Sequence, residues 1–206
     1  MSSRQILARC AATAGCLAVV AAGSTAPAMA GGSHHAARGH STYVVFKGGA
    51  TTLALNPGTA QALSDNGISV STVAEAKATK AGIAFPIQGG LINAKTLGGM
   101  VTHSGGLMFS AGGKDLTIRD FTIDTKKKTL TAWVDQVGAR ITVLDLKLGK
   151  AKVKVTKKHT TVKNVRAVLD KGAASALNGY YSTSLFKGGL KIGTATVSGK
   201  TKILAG

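Results

Sequence analysis

The most constraining feature of the sequence is a pair of alternating apolar and polar segments separated by a short, lysine-rich connection. Residues 116–124 and 129–134 alternate in this way, and residues 125–128 between them read Thr-Lys-Lys-Lys. A period of two is typical of strands that bury one face, and a short polar connection joins two such strands as a hairpin. The sequence therefore predicts a β-hairpin over residues 116–134.

The first strand of this hairpin changes the parity of its apolar residues partway along. Leu116 and Ile118 hold one parity, whereas Phe121 and Ile123 hold the other. Because side chains of a strand alternate between its two faces, one extra residue is needed to bring both pairs to the same face. We therefore predict a β-bulge near residues 119–120.

Short strands and frequent glycine turns continue along the rest of the chain, which has 27 glycines in 206 residues. This pattern predicts a mainly β protein, an antiparallel β-sandwich or curved sheet with two short helices. Tyr43–Phe46 and Thr51–Leu55 are expected as separate strands around Gly48 and Gly49. Asn56 followed by Pro57 is a typical helix start, because Asn is a good N-cap and Pro fits the first turn.

Two segments share the same order of residue types. Residues 55–63 read Leu-Asn-Pro-Gly-Thr-Ala-Gln-Ala-Leu, and residues 169–177 read Leu-Asp-Lys-Gly-Ala-Ala-Ser-Ala-Leu. Each gives the end of a strand, a polar cap and a short helix, so we predict an internal repeat that flanks a central sheet. Chance similarity between two alanine-rich segments is the alternative.

The first thirty residues predict a secretory signal peptide. Arg4 and Arg9 precede an apolar run over residues 11–23, and Ala28-Met29-Ala30 forms a small-x-small cleavage site. The run is shorter than the ~20 residues that a membrane span needs. We expect cleavage after Ala30 and a protein that is secreted or associated with the cell envelope.

Removal of the signal peptide divides the remainder into two parts. Residues 31–41 are small and polar and predict a flexible N-terminus, while residues 42–206 predict a single β-rich domain without a transmembrane segment. Both cysteines lie in the signal peptide, at Cys10 and Cys16. We therefore expect no disulfide and no thiolate metal site in the mature protein.

The charge of the chain indicates an anionic partner. Lys and Arg number 26 against 8 acidic residues, which gives a formal net charge of +18. A strongly basic exported protein is expected to bind anionic cell-wall or surface polymers. Nucleic acid is not expected, because the chain is exported and lacks a basic surface interleaved with aromatic residues.

Two lysine clusters are the candidate polyanion-binding residues. One is the hairpin connection, and the other is a strand on which alternate residues are lysine. The residues are Lys126, Lys127 and Lys128, and Lys150, Lys152 and Lys154. The alternative is that the second cluster only protects an edge strand against pairing with other chains.

The central segment resembles a known family. Residues 99–107 read Gly-Met-Val-Thr-His-Ser-Gly-Gly-Leu, and the hairpin at 116–134 follows them. This order is similar to the core of HtaA (haem-transport-associated) domains, which are secreted or surface β-rich modules of actinobacteria. The resemblance implies haem as a cofactor, with His103 at the motif histidine beside an axial tyrosine, for which Tyr43 is the candidate. The alternative for His103 is a structural role at a glycine-rich turn.

The sequence does not predict catalysis. Its acidic residues are scattered, and Ser104 next to His103 would point to the opposite face of a strand. His34, His35 and His40 lie close together, but we interpret them as part of a solvated tail rather than a metal site. We therefore predict a non-enzymatic binding or structural domain of the cell envelope, with haem uptake or transport as the alternative.

Overall fold

The computed structural model describes residues 41–205, which form a twelve-stranded sheet and two helices. The strands and helices are β1 (Thr42–Leu55), α1 (Pro57–Asp65), β2 (Ser69–Val73), β3 (Lys77–Thr79), β4 (Gly82–Asn93), β5 (Gly99–His103), β6 (Gly106–Ala111), β7 (Lys114–Asp124), β8 (Thr129–Val134), β9 (Ala139–Lys147), β10 (Lys152–Val155), β11 (His159–Leu169), α2 (Lys171–Tyr181) and β12 (Lys191–Ala205). The mainly β class with two short helices is confirmed. The predicted signal peptide and the histidines at 34, 35 and 40 lie outside the described residues.

Eight of the strands close into an antiparallel barrel in the order β1, β12, β11, β9, β8, β7, β5, β4 and back to β1. The prediction of a sandwich or curved sheet was therefore wrong in its finer part. The pairing of β7 with β8 on one edge and with β5 on the other removes the free edges that an open sheet would have. Closure of this kind leaves one interior rather than the space between two sheets.

The other four strands extend the barrel locally. β6 continues β5 beyond a kink at Ser104 and Gly105, and it pairs with the first half of β7 and with β2. β3 pairs with β4, and β10 pairs with β11. The connection between β2 and β4 thus contains one short strand, β3.

The predicted hairpin and bulge are confirmed. β7 and β8 pair on either side of the 125–128 turn, and their register shifts between Arg119 and Thr122. Asp120 takes a positive φ of 54° at this point. The bulge puts Ile118, Phe121 and Ile123 on the same buried face.

Tyr43–Phe46 and Thr51–Leu55 are not separate strands, because both belong to β1. The strand continues through its two glycines by means of a register shift between Phe46 and Gly48. Gly49 is needed where the strands approach closely, since an added Cβ would lie 2.2 Å from the Ser198 carbonyl oxygen. One extra residue at Lys47 thus keeps a long strand in the barrel instead of ending it.

The two halves of the predicted repeat have the same local structure. β1 leads to Asn56, whose side chain accepts a hydrogen bond from the Thr59 backbone at 3.3 Å, and α1 follows. β11 leads to Asp170, whose side chain accepts from the Ala173 backbone at 3.0 Å, and α2 follows. Both strands end on the same side of the barrel, which we call the helical end.

The opposite side, at which β1 begins and β12 ends, is called the lysine end. The large buried cluster fills the interior toward the helices, and a smaller cluster of five residues packs toward the lysine end: Val44, Phe46, Ile87, Ile92 and Val101. Neither of the two helices found between residues 41 and 205 has the length and apolar character required to cross a membrane.

Candidate functional site

The barrel encloses a cavity of about 310 Å³ that is lined mainly by apolar side chains from the strands and from both helices. This volume is at the lower end of the range that is typical of small-molecule sites. The lining side chains that carry a polar group are Thr51, Thr59, His103, Thr125, Gln136 and Tyr180. The cavity therefore offers an apolar ligand a large contact surface and few polar contacts.

Among residues 41–205, His103 is the one imidazole in the cavity lining, and only 2% of its surface is exposed. Its Nε2 lies 2.7 Å from the Thr51 hydroxyl, and its Nδ1 lies 3.3 Å from the Phe121 carbonyl oxygen. A carbonyl only accepts, so Nδ1 carries the hydrogen and Nε2 accepts from Thr51. Both ring nitrogens are thus hydrogen-bonded within the protein.

The charge state of His103 follows from its burial. Burial lowers the pKa of His103 from 6.5 to about 4, and the hydrogen bond to the Phe121 carbonyl opposes this shift without cancelling it. The imidazole is therefore neutral at physiological pH, with the lone pair of Nε2 available as an acceptor.

The glycines after His103 allow the chain to kink directly after this histidine, between β5 and β6. Gly105 has a φ of +77°, and its carbonyl accepts a hydrogen bond of 3.0 Å from the Asp120 backbone N–H. This bond fixes the kink against the bulge of β7, next to the Phe121 carbonyl that His103 contacts. The bulge and the glycine motif, which the sequence indicates separately, thus build one site.

Tyr43 does not lie near His103 on the inside of the barrel. It precedes Val44, which is fully buried, so its side chain leaves on the outer face of β1. The hydroxyl that meets His103 belongs instead to Thr51. The arrangement expected from the sequence, with Tyr43 as an axial ligand beside His103, is not formed here.

The other two tyrosines of the described chain lie near the helical end. The hydroxyl of Tyr180 donates to the Asp115 carbonyl at 2.6 Å, and that of Tyr181 donates to the Phe109 carbonyl at 2.8 Å. Burial is the main reason that the pKa of Tyr181 is raised to about 12, with Tyr180 and Asp115 adding to the effect. A phenolate at Tyr181 is therefore disfavoured.

Sequence reasoning missed Thr51 and the Phe121 carbonyl as parts of the site. Thr51, Leu53 and Leu55 share one parity, which was a signal that Thr51 points inward once Leu53 is assigned to the core. No sequence pattern indicates that the Phe121 carbonyl points toward His103, because the direction of this carbonyl depends on the bulge in β7.

The two predicted lysine clusters lie toward the same end of the barrel. Lys126–Lys128 are exposed in the β7–β8 turn, and Lys150 lies in the connection that leads to β10, which carries Lys152 and Lys154. β10 pairs with β11 along one edge. The acidic residues of this end are Asp124 and Asp145, and Asp145 lies 3.8 Å from Lys147. Across residues 41–205, no group of His, Cys or acidic residues could hold a metal ion by itself.

No protein-family model matches the sequence, and no curated protein resembles it closely enough to count as a match. Among solved structures, the C-terminal domain of HtaA from Corynebacterium glutamicum superposes with a TM-score of 0.59 at 14% identity, covering 77% of this chain and 99% of that domain. The heme binding protein HtaB from the same organism gives a TM-score of 0.45 at 11% identity, covering 80% of this chain and 98% of that protein. The likeness to the HtaA domain shows that the chain has an HtaA-like fold, as the resemblance of its central segment implied.

Proposed function

We propose that the barrel interior binds an apolar small molecule and that haem is the first ligand to test. The observation that carries this proposal is the cavity of about 310 Å³, to whose apolar lining the described part of the chain contributes one neutral imidazole. Small barrels of eight strands are wide enough to hold one small ligand among their side chains. The HtaA-like fold and the haem-transport resemblance of the His103 motif make haem the candidate.

The donor chemistry of His103 fits a metal ligand better than that of Tyr43. An imidazole that ligates iron usually donates its other ring N–H to a carbonyl or carboxylate, and Nδ1 of His103 already donates to Phe121. The low pKa of His103 keeps Nε2 free of a proton, as ligation requires. His103 would therefore hold the haem iron through Nε2, in place of its hydrogen bond to Thr51. Haem would supply an iron centre whose redox behaviour depends on the residue that ligates it.

The test is a hemin titration of the purified protein, followed by the Soret absorption band. We expect saturable binding in a one-to-one ratio, a loss of at least about tenfold in affinity for His103→Ala, and no change for Tyr43→Phe. Thr51→Val is the informative partner variant. It keeps the shape of the side chain but removes the hydroxyl that competes for Nε2, so hemin should bind as tightly or more tightly.

Two outcomes separate the general proposal from the haem assignment. If His103→Ala binds hemin as well as the unmodified protein does, His103 is not the ligand. If hemin does not bind saturably but a fluorescent fatty acid does, the cavity takes an apolar ligand without a metal. Binding of neither molecule would contradict the proposal as a whole.

We also propose that the protein is non-enzymatic and acts outside the cytoplasm, after cleavage near Ala30. The basis is the order of residues in the first thirty positions, namely a basic start, an apolar run and a small-x-small site. Mass spectrometry of the culture supernatant and the envelope fraction should find a form that begins at or near Gly31. A full-length product confined to the cytoplasm would contradict this proposal.

A second function, binding to an anionic polymer or surface, is favoured by the position of the lysines. Lys126–Lys128 and the lysines of β10 come from separate segments, yet they lie toward the same end of the barrel and are all exposed. Clustering of like charges is unfavourable unless an anionic partner compensates it, so the cluster supports a binding role. Retention on isolated cell wall should fall steeply as salt is raised, because exposed charges are screened within about 8 Å at physiological ionic strength. Retention that does not change with salt would argue against an electrostatic mechanism.

A further inference from the structure

We infer that the lysine end docks onto an anionic lipid bilayer, and that an apolar stripe on the outer surface of the barrel contributes to this docking beside the lysines. This inference rests on the second proposed function and specifies its partner. The outer stripe consists of five side chains from four neighbouring strands: Tyr43, Val45, Leu91, Met100 and Leu204.

The strand register places these residues side by side. Val45 of β1 pairs with Leu91 of β4, and Leu91 pairs with Met100 of β5. Tyr43 pairs with Leu204 of β12. Directly paired residues of antiparallel strands project their side chains to the same face, so the stripe is continuous across four strands.

The stripe faces outward rather than into the barrel. The residues next to it in sequence, Val44, Ile92 and Val101, are 0%, 4% and 5% exposed and fill the interior. Neighbours on a strand point to opposite faces. In agreement, Leu91 is 49% exposed and Met100 is 51% exposed.

The exposed apolar side chains continue to the end of β12, where Leu204 is 41% exposed. Isolated exposed apolar residues are normal on a protein surface, but a contiguous set marks an interaction site. Tyr43 belongs to this set, and tyrosine is a residue type that is enriched at membrane–water interfaces.

Charge decides between a bilayer and a second copy of the chain as the partner. Lys202 pairs with Val45 across β12 and β1, Lys200 lies on the same outer face, and Lys95 is exposed in the β4–β5 turn. The acidic residue in register with the stripe is Asp124, opposite Met100. Two copies joined through this face would bring their lysines together and repel each other, whereas anionic lipid attracts the same lysines.

The combination of apolar and basic side chains also decides between a bilayer and a soluble polymer. A hydrated polyanion can neutralise the lysines but leaves Leu91 and Met100 in water. The interfacial region of a bilayer accepts apolar side chains and presents anionic head groups above them. A bilayer is therefore the partner that matches both parts of the surface.

The experiment compares co-sedimentation of the purified protein with phosphatidylcholine vesicles that contain or lack phosphatidylglycerol. Leu91→Ser/Met100→Ser should lower the partition coefficient onto anionic vesicles about tenfold, because two apolar side chains no longer leave water. Val137→Ser is the matched control. Val137 is 62% exposed and lies in the β8–β9 turn, toward the helical end, so this variant should bind as the unmodified protein does.

Lys200→Gln/Lys202→Gln tests the electrostatic part of the same surface. Each lysine near an anionic surface raises the partition coefficient roughly fivefold, so the partition coefficient of this variant onto anionic vesicles should fall on the order of twentyfold. Binding of soluble polyphosphate, measured in parallel, supplies an anionic partner without a bilayer. Leu91→Ser/Met100→Ser should bind polyphosphate with unchanged affinity.

The outcomes separate this inference from the proposed function on which it rests. If Leu91→Ser/Met100→Ser binds anionic vesicles normally, the lipid inference is overturned and binding to anionic polymers stands. If the unmodified protein binds neither vesicles nor polyphosphate, both are overturned. Circular dichroism and thermal unfolding confirm that each variant is folded, which the exposure of the substituted residues leads us to expect.

A spectroscopic readout tests insertion directly. Tyr43→Trp in a Trp133→Phe background places the one tryptophan in the stripe. Its emission should shift to shorter wavelength with anionic vesicles and should stay unchanged with polyphosphate. If the emission spectrum with anionic vesicles is the same as that with polyphosphate, the stripe remains in water and the inference is overturned.

Discussion

The hydroxyl of Thr51 and Nε2 of His103 lie 2.7 Å apart inside the barrel, although 52 positions separate the two residues. Thr51 belongs to β1 and His103 to β5, and β4 runs between these strands, with Phe85 opposite Thr51 and Ile87 opposite His103. The hydrogen bond thus crosses over β4 and links the two strands on either side of it. It also satisfies the one ring nitrogen of His103 that the backbone does not.

Replacing Thr51 tests the energetic role of this bond. Thr51→Val should lower the free energy of unfolding by about 1–2 kcal/mol, because Nε2 would remain buried without a donor. Thr51→Ser keeps the hydroxyl, so its free energy of unfolding should fall by less than that of Thr51→Val. Urea unfolding followed by circular dichroism measures both. Equal stability of Thr51→Val and the unmodified protein would mean that another group satisfies Nε2.

The low pKa of His103 predicts a pH-dependent stability. In the unfolded chain the imidazole titrates near 6.5, whereas in the folded protein it titrates near 4. Above pH 6.5 both states are neutral and the stability is constant. Between pH 6.5 and 4 the unfolded state binds the proton first, so the stability falls with decreasing pH by up to roughly 3 kcal/mol and then levels off.

Two variants isolate this effect from the titration of the carboxylates. His103→Gln removes the titrating group and should flatten the stability profile between pH 6.5 and 4, even though its absolute stability is lower. His159→Gln changes an exposed histidine and should leave the profile unchanged. A profile that is unaltered by His103→Gln would contradict the assignment.

The hairpin and its bulge could be predicted because both are encoded by neighbouring residues. The change of parity between Ile118 and Phe121 has one simple structural solution, and the structure adopts it. Closure of the barrel could not be predicted in this way. It depends on the pairing of β12 with β1 and of β5 with β7, and strands of a sandwich and of a barrel show the same alternation.

The candidate site was predictable only in part for the same reason. His103 stands out because it lies between glycines in an otherwise apolar segment. Tyr43 lies in the run Tyr-Val-Val-Phe, which is apolar at both parities and therefore does not indicate which side chains point inward. The partner of His103 depends on the relative register of β1, β4 and β5, which no local pattern contains.

The glycines at the kink provide a further test of how the site is built. Gly105 and Gly113 have nearly the same φ, at +77° and +76°. An added Cβ would lie 2.4 Å from the Ala76 backbone nitrogen at Gly105, whereas nothing lies within 4 Å at Gly113. Gly113→Ala should therefore cost only the conformational strain of about 1–2 kcal/mol. Gly105→Ala adds a backbone clash and should cost at least about 3 kcal/mol. If urea unfolding gives the same loss of unfolding free energy for both variants, the residues around Gly105 must move to make room for the added methyl group.

The position of the lysines, rather than their number, should determine binding to a polyanion. Lys126→Gln/Lys127→Gln/Lys128→Gln removes three charges at the lysine end, and Lys77→Gln/Lys80→Gln/Lys187→Gln removes three exposed charges elsewhere. In polyphosphate titrations, the slope of log affinity against log salt should fall by roughly one for each lysine that contacts the polymer. We therefore expect a decrease of about two to three for the first variant and little change for the second. The same decrease in both would mean that binding follows the net charge of the whole molecule, and that the lysine end is not a distinct site.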